Sequence, residues 1–273
     1  MGLSDMLPGP SDPFWITLLY KMLATAALVV SVSMLVERVG PFLGAMVATL
    51  PISAGPALVF VAMDRGPAFL EASARAGLPA FAGTAVFAAV YALLAQRRRT
   101  LISVGGSLAA WLVATLLIQS REWSLGAALA LHGIVFGTAL RVTRPYRRAA
   151  PVVRATRRSW DVPFRAAIVM ALVATVLVTG RLLGPKAAGT IAVAPMVFAS
   201  VGLVLQPRVG GALPAAMMAN GLLGLIGLVA ALAFLSVSAT ALGAATSLSL
   251  ALLICVLWNL LLIGAHRLPR GRV

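Results

Sequence analysis

Apolar positions in this chain arrive in long unbroken runs. They show neither the alternation of strands nor the narrow stripe of a soluble amphipathic helix. A run of ~18–20 apolar residues is enough to cross a hydrocarbon layer as a helix. The pattern predicts spans at about 14–36, 42–62, a third from about 67 or 77 to 95, then 101–119, 124–140, 166–183, 187–206, 211–235 and 242–265. Phe14, Trp15 and Tyr20 suit an interfacial belt at the start of the first span. The expected fold class is therefore all-α, a polytopic integral membrane protein of about nine transmembrane helices.

One stretch interrupts its own run. GPFLGAMVATLPISAGPALVF, residues 40–60, carries Pro51 near its centre and Gly55-Pro56 just beyond. Proline has no N–H to donate, so Pro51 frees the carbonyl of Val47. Lipid offers no replacement partner; such a break needs neighbouring helices or a water-filled cavity. The same design returns 144 residues later as GPKAAGTIAVAPMVFASVGLV, residues 184–204. Without a gap, Gly40 aligns with Gly184, Pro41 with Pro185, Ala48 with Ala192 and Pro51 with Pro195. The register continues through Gly66 and Gly210, Gly77 and Gly221, and Gly83 and Gly227.

Composition agrees with the membrane class: 61% of the 273 residues are hydrophobic and 11% charged. Charge then sets an expected topology. With the N-terminus outside, the inner segments hold Arg38, Arg97–Arg99, eight arginines of the 141–165 linker, Arg208, Arg267, Arg270 and Arg272. The outer segments hold Arg65, Arg75, Arg121, Arg181 and Lys186, while Lys21 lies within span one. Basic residues favour the cytoplasmic side, so N-out and C-in is expected, in a bacterial cytoplasmic membrane. Residues 1–13 lack the basic start of a secretory signal and read as an extracytoplasmic segment.

Spans one to four (14–119) align with spans six to nine (166–265), and span five (120–140) has no counterpart. An odd connecting helix turns the second unit over, giving two inverted four-helix repeats. The 141–165 linker and the 266–273 tail are basic and cytoplasmic in this scheme. Inverted repeats with interrupted helices recur in secondary transporters, with the solute site near the midplane. On GAMVATLPISAGP and AGTIAVAPMVFAS, each half resembles the GlpM-like small bacterial membrane proteins, which have a Gly-rich second helix interrupted by proline. That resemblance implies a four-span unit and no substrate.

Polar groups within the spans are the candidate solute contacts: Thr49 and Ser53 around Pro51 and Gly55, Thr190 and Ser200 around Pro195, His132 in span five, and Asn220 and Asn259 in spans eight and nine. Ser and Thr also bond back to their own helices, and Asn commonly bridges two helices. Histidine at that depth is a functional candidate or a neutral interhelical contact. Glu71 and Arg75 are spaced for a surface pair. Lys21 is expected to snorkel to the headgroups, with Glu71 as a second choice of partner.

Other chemistries find little support. One cysteine, Cys255, gives no disulfide, and two distant histidines give no zinc motif. No GxxxxGK[ST] loop or Asp-rich run is present, so neither ATP hydrolysis nor Mg²⁺ chemistry is expected, and no cofactor. The linker mixes arginine with Tyr146, Trp160 and Phe164, but attraction to anionic headgroups explains it better than nucleic acid. The expectation is a carrier, not an enzyme, moving a small anionic or neutral solute by alternating access. The alternative is a non-transporting scaffold, assembly factor or lipid-binding protein.

Overall fold

The computed structural model describes residues 13–36, 49–51, 54–148 and 160–267. The expected N-terminal segment up to residue 12, Glu37-Arg38, the Gly40-Pro41 pair, Ser53, the middle of the basic linker and the tail from 268 lie outside the described residues.

The described chain is all-α, with no strand among those residues. In chain order α1 is Pro13–Val36, α2 Ala54–Leu94, α3 Thr100–Gln119 and α4 Leu125–Thr143, followed by a 3₁₀ turn Arg144–Arg148. Then come α5 Asp161–Leu183, α6 Pro185–Ala192, α7 Met196–Val209, α8 Ala212–Leu242 and α9 Ala244–Arg267. Ala- and Leu-rich runs favour helix, and in lipid the helix is the way one segment satisfies its own backbone. Local chemistry sets some ends. Ser124 caps α4 by accepting from the Ala127 amide at 3.2 Å.

Among the described residues, seven segments are long and apolar enough to cross a membrane: α2, α3, α4 with its extension to Arg147, α5, the α6–α7 pair, α8 and α9. The stretch Pro13–Leu28 of α1 is a shorter apolar helix. The multi-pass helical class matches the expectation, and these segments cover only part of the nine expected spans. α2 holds the described helical part of expected span two together with expected span three, joined across a non-helical Gly66; the start of expected span two lies outside the described residues.

α2 bends at Gly66, where φ is 81° and ψ 178°. That conformation is nearly confined to glycine. Gly210, 144 residues on, adopts φ 76° and ψ 177° and separates α7 from α8. Helices α3 and α9 begin at Thr100 and Ala244, the same distance apart. The core forms where the later part of α2 packs on α6 and α8, with α3 against α2, α9 against α8 and α1 against α5.

Two backbone approaches pin this arrangement. A Cβ on Gly189 would stand 1.9 Å from the Ser73 carbonyl oxygen, and one on Gly211 would stand 1.8 Å from that of Ala95. Small residues of this kind let transmembrane helices meet backbone to backbone. The exposed Leu and Ile side chains of α3 and α9, such as Leu116, Leu117, Leu260 and Leu261, form an apolar outer surface suited to lipid.

Candidate functional site

The centre of the fold is made by the two proline breaks. In the second, α6 ends at Ala192, Val193 to Pro195 are non-helical, and α7 starts at Met196. Pro195 has φ −78° and ψ 44°, close to an inverse γ-turn, and Met196 donates to the Ala194 carbonyl at 2.8 Å. Proline sits here at the N-cap of α7, one position before the first-turn place expected for it. Ala199 then donates to the Pro195 carbonyl at 2.9 Å. At the first break, Gly55 donates to the Pro51 carbonyl at 2.7 Å, the matching bond in the matching place. Both prolines thus open a helix at the centre of the bundle.

Pro51 and Pro195 face a shared cavity of about 50 Å³. Thr49, Leu50, Ala54, Phe81, Thr84, Ala192, Val193, Ala194, Val197, Phe198, Leu225 and Leu228 complete its wall. One water needs only ~10–15 Å³, so the space suits a small guest. Its walls are apolar apart from a few groups. Thr84 of α2 donates to the Val193 carbonyl at 3.0 Å, which the break released from its helix. Thr49 donates to Asn259 Oδ1 at 3.1 Å, and Asn259 donates to the Cys255 carbonyl at 2.9 Å. Val197 and Phe198 lie in the first turn of α7, whose amides have no carbonyl in a preceding turn.

Among the residues singled out from sequence, the cavity gathers Thr49, Pro51 and Pro195. Gly55 stands one residue beyond the lining residue Ala54, and Asn259 reaches the cavity through Thr49. The others stand apart from its lining. Thr190 donates to the Lys186 carbonyl and accepts from Gln119 of α3. Ser200 bonds back to the Val197 carbonyl at 2.7 Å. Asn220 ties α8 to the turn after α4 through the Arg147 carbonyl at 3.3 Å. His132 is buried behind the wall; its ring stacks on Phe81 at 6.3 Å, and its Nδ1 donates to the Ala128 carbonyl at 2.8 Å. The opposite ring nitrogen, Nε2, has no hydrogen-bond partner among the described residues. Ser53 lies outside the described residues.

Thr84 was missed by sequence reasoning. Its signal was a lone hydroxyl in the apolar stretch FAGTAVF of the third expected span. Lys21 also corrects an expectation: it is buried and paired with Asp64, and it stands 5.6 Å from the centre of the Phe60 ring. Glu71 instead accepts from the amide and hydroxyl of Thr240 and lies 3.5 Å from Arg75. Asp64 lies before the Gly66 bend, beside Lys21, whereas Glu71 lies beyond it and is held by Thr240. Among the described residues no cluster of His, Cys, Asp or Glu is able to hold a metal ion.

No protein-family model matches the chain, and no match was found among curated proteins or solved structures. The class defined by the fold is a polytopic helical membrane protein with a small central cavity.

Proposed function

We propose that the protein is a secondary transporter of a small anionic or neutral solute, working by alternating access between two inverted repeats. One observation carries this reading: a single cavity bordered by the proline break of each half. The matched Gly66 and Gly210 hinges and the matched proline bonds support a repeat at the 144-residue offset. Contacts at the two ends of α5 support inversion. Arg65, at the end of the first half-helix, reaches the Arg181 carbonyl near the C-terminus of α5. Arg208, at the end of α7, pairs with Asp161 at the N-terminus of α5. The two half-helices therefore leave the common centre toward opposite ends of the bundle.

The solute would sit where the first-turn amides of α7 and the hydroxyls of Thr49 and Thr84 converge. Amides and hydroxyls of that kind accept carboxylate, phosphate or a neutral carbonyl. No acid of the described chain lines the cavity, so a cation would lack a counter-charge. The arginine-rich end belongs on the cytoplasmic side, near anionic headgroups, with the N-terminus outside and the C-terminus inside a bacterial cytoplasmic membrane.

The scaffold reading draws on one fact: the Thr84 and Thr49 hydroxyls already have partners. A thermal-shift screen of the purified protein against small anions and neutral metabolites separates the two. A carrier yields a hit whose shift is lost in Thr84→Val and Thr49→Val, with uptake of that solute into proteoliposomes. A scaffold yields neither a hit nor uptake. Reporter fusions test the topology, since one placed after Val273 is expected inside and one inserted at Gly66 outside.

A further inference from the structure

We infer that the ion pairs Lys21–Asp64 and Asp161–Arg208 are two latches of one kind, each closing the central cavity toward one end of the bundle. The inference rests on the carrier reading above and assigns how that carrier is held shut. Asp64 and Arg208 are 144 residues apart, and each lies two positions before its hinge glycine, Gly66 or Gly210. Each sits on the half-helix that begins at a proline of the cavity wall. The partners are on α1 and α5, the first helices of the two halves, which pack against one another. Each half therefore ties its half-helix to its first helix, with Asp161 one turn before Arg165, the residue that matches Lys21.

The sign of charge is exchanged between them. The half-helix carries the acid in the first pair and the base in the second. Mere retention of an ancestral pair would keep the signs, whereas a shared mechanical task needs only opposite charges at that place. In each pair one member is buried and the other partly exposed. Lys21 and Asp161 are 5% and 6% exposed, and Arg208 grips Asp161 with both terminal nitrogens. A carboxylate or ammonium group held at such low exposure is costly without its partner, so the pair resists separation. At the Lys21–Asp64 end, Arg65 adds a contact to the α5 carbonyl of Arg181. The other end has its own additional tie, from the amide of Gln206 to the Arg98 carbonyl at 2.9 Å.

Swinging a half-helix about its hinge glycine, away from α1 or α5, uncovers the cavity at that end alone. Alternating access then consists of breaking one pair while the other holds.

A thiol placed in the cavity wall reads this directly. In a Cys255→Ser background, Leu225→Cys supplies the only thiol, and vesicles of each orientation are treated with a membrane-impermeant maleimide. Asp64→Asn is expected to raise labelling about tenfold from the Lys21 side only. Asp161→Asn is expected to do the same from the Arg208 side only. The charge-exchanged doubles, Lys21→Asp with Asp64→Lys and Asp161→Arg with Arg208→Asp, are expected to restore the low rate. The doubles also answer for any single variant that fails to assemble, because a restored latch restores both folding and closure. Labelling that rises without a preferred side overturns the latches and leaves the carrier standing. A thiol that stays unreached from both sides, even with Asp64→Asn and Asp161→Asn combined, overturns the latches and the carrier together.

Discussion

The two halves share a frame and differ in wiring. Hinge glycines, proline-capped half-helices and the starts of α3 and α9 recur at one offset. The polar groups do not. Thr49 of the first break corresponds to Val193 of the second, and Asn259 of α9 to Thr115 of α3. At the first break a side chain reaches across to α9, while at the second a bare carbonyl is closed by Thr84, whose own counterpart is Leu228. The lesson is that backbone geometry, which only Gly and Pro supply cheaply, is the repeated property. The hydrogen bonds around it differ between the two proline segments.

If geometry is the shared property, changes to close backbone contacts should cost most. Gly189→Ala and Gly211→Ala place a Cβ against a carbonyl oxygen of a neighbouring helix, which has no flexible end to move. Each is expected to lower stability by ~3 kcal/mol or more, read as a fall in Tm and in monodisperse yield from detergent. A small effect at either glycine would mean the helices slide apart without penalty.

Next in size are the hinges, where the halves should respond alike. Gly66→Ala and Gly210→Ala have open space for the methyl group, so backbone strain alone acts. The expected cost is ~1–3 kcal/mol at each, equal within error, measured by thermal unfolding of the purified variants. A large difference between them would break the equivalence of the two bends.

The wiring should respond unequally. Asn259→Ala removes an amide that serves Thr49 and the Cys255 carbonyl, with an expected loss of ~1–2 kcal/mol. At the matching position, Thr115 buries a hydroxyl with no hydrogen-bond partner. Thr115→Val exchanges it for a methyl group and is expected to be neutral or stabilising by up to ~1 kcal/mol. Equal losses in the same thermal assay would show that the two positions do one job.

The frame was legible in sequence because its carriers are rare residue types in fixed register. Pro51 and Pro195 announced the paired breaks; Gly66 and Gly210 stood out only as matched positions, and their bends came from the structure. Side-chain partners were not legible to the same degree. Thr190 and Ser200 flank Pro195 in sequence, yet a helix turns ~100° per residue, which carries them away from the cavity. Thr84 is more than thirty residues from Pro51 in sequence and arrives only because the later part of α2 packs beside α6. Lys21 had two acids available on its expected side; it pairs with Asp64, while Glu71, beyond the Gly66 bend, is held by Thr240.

His132 tests the region with no counterpart. It belongs to α4, the helix that the 144-residue offset leaves unmatched. Its ring lies between Phe81 and Phe136, with centroids 6.3 and 5.6 Å away, an environment that a phenyl ring fits. The Nδ1 bond goes to the carbonyl four residues back in its own helix, so losing it leaves the helix intact. Among the described residues, Nε2 has no hydrogen-bond partner to lose. His132→Phe should therefore change stability by less than ~1 kcal/mol, the smallest effect of the set, in the same thermal assay. A loss above ~2 kcal/mol would require that Nε2 hold a water or solute reaching past Phe81 from the cavity. The unmatched helix would then belong to the site, and the site would no longer be the work of the two halves alone.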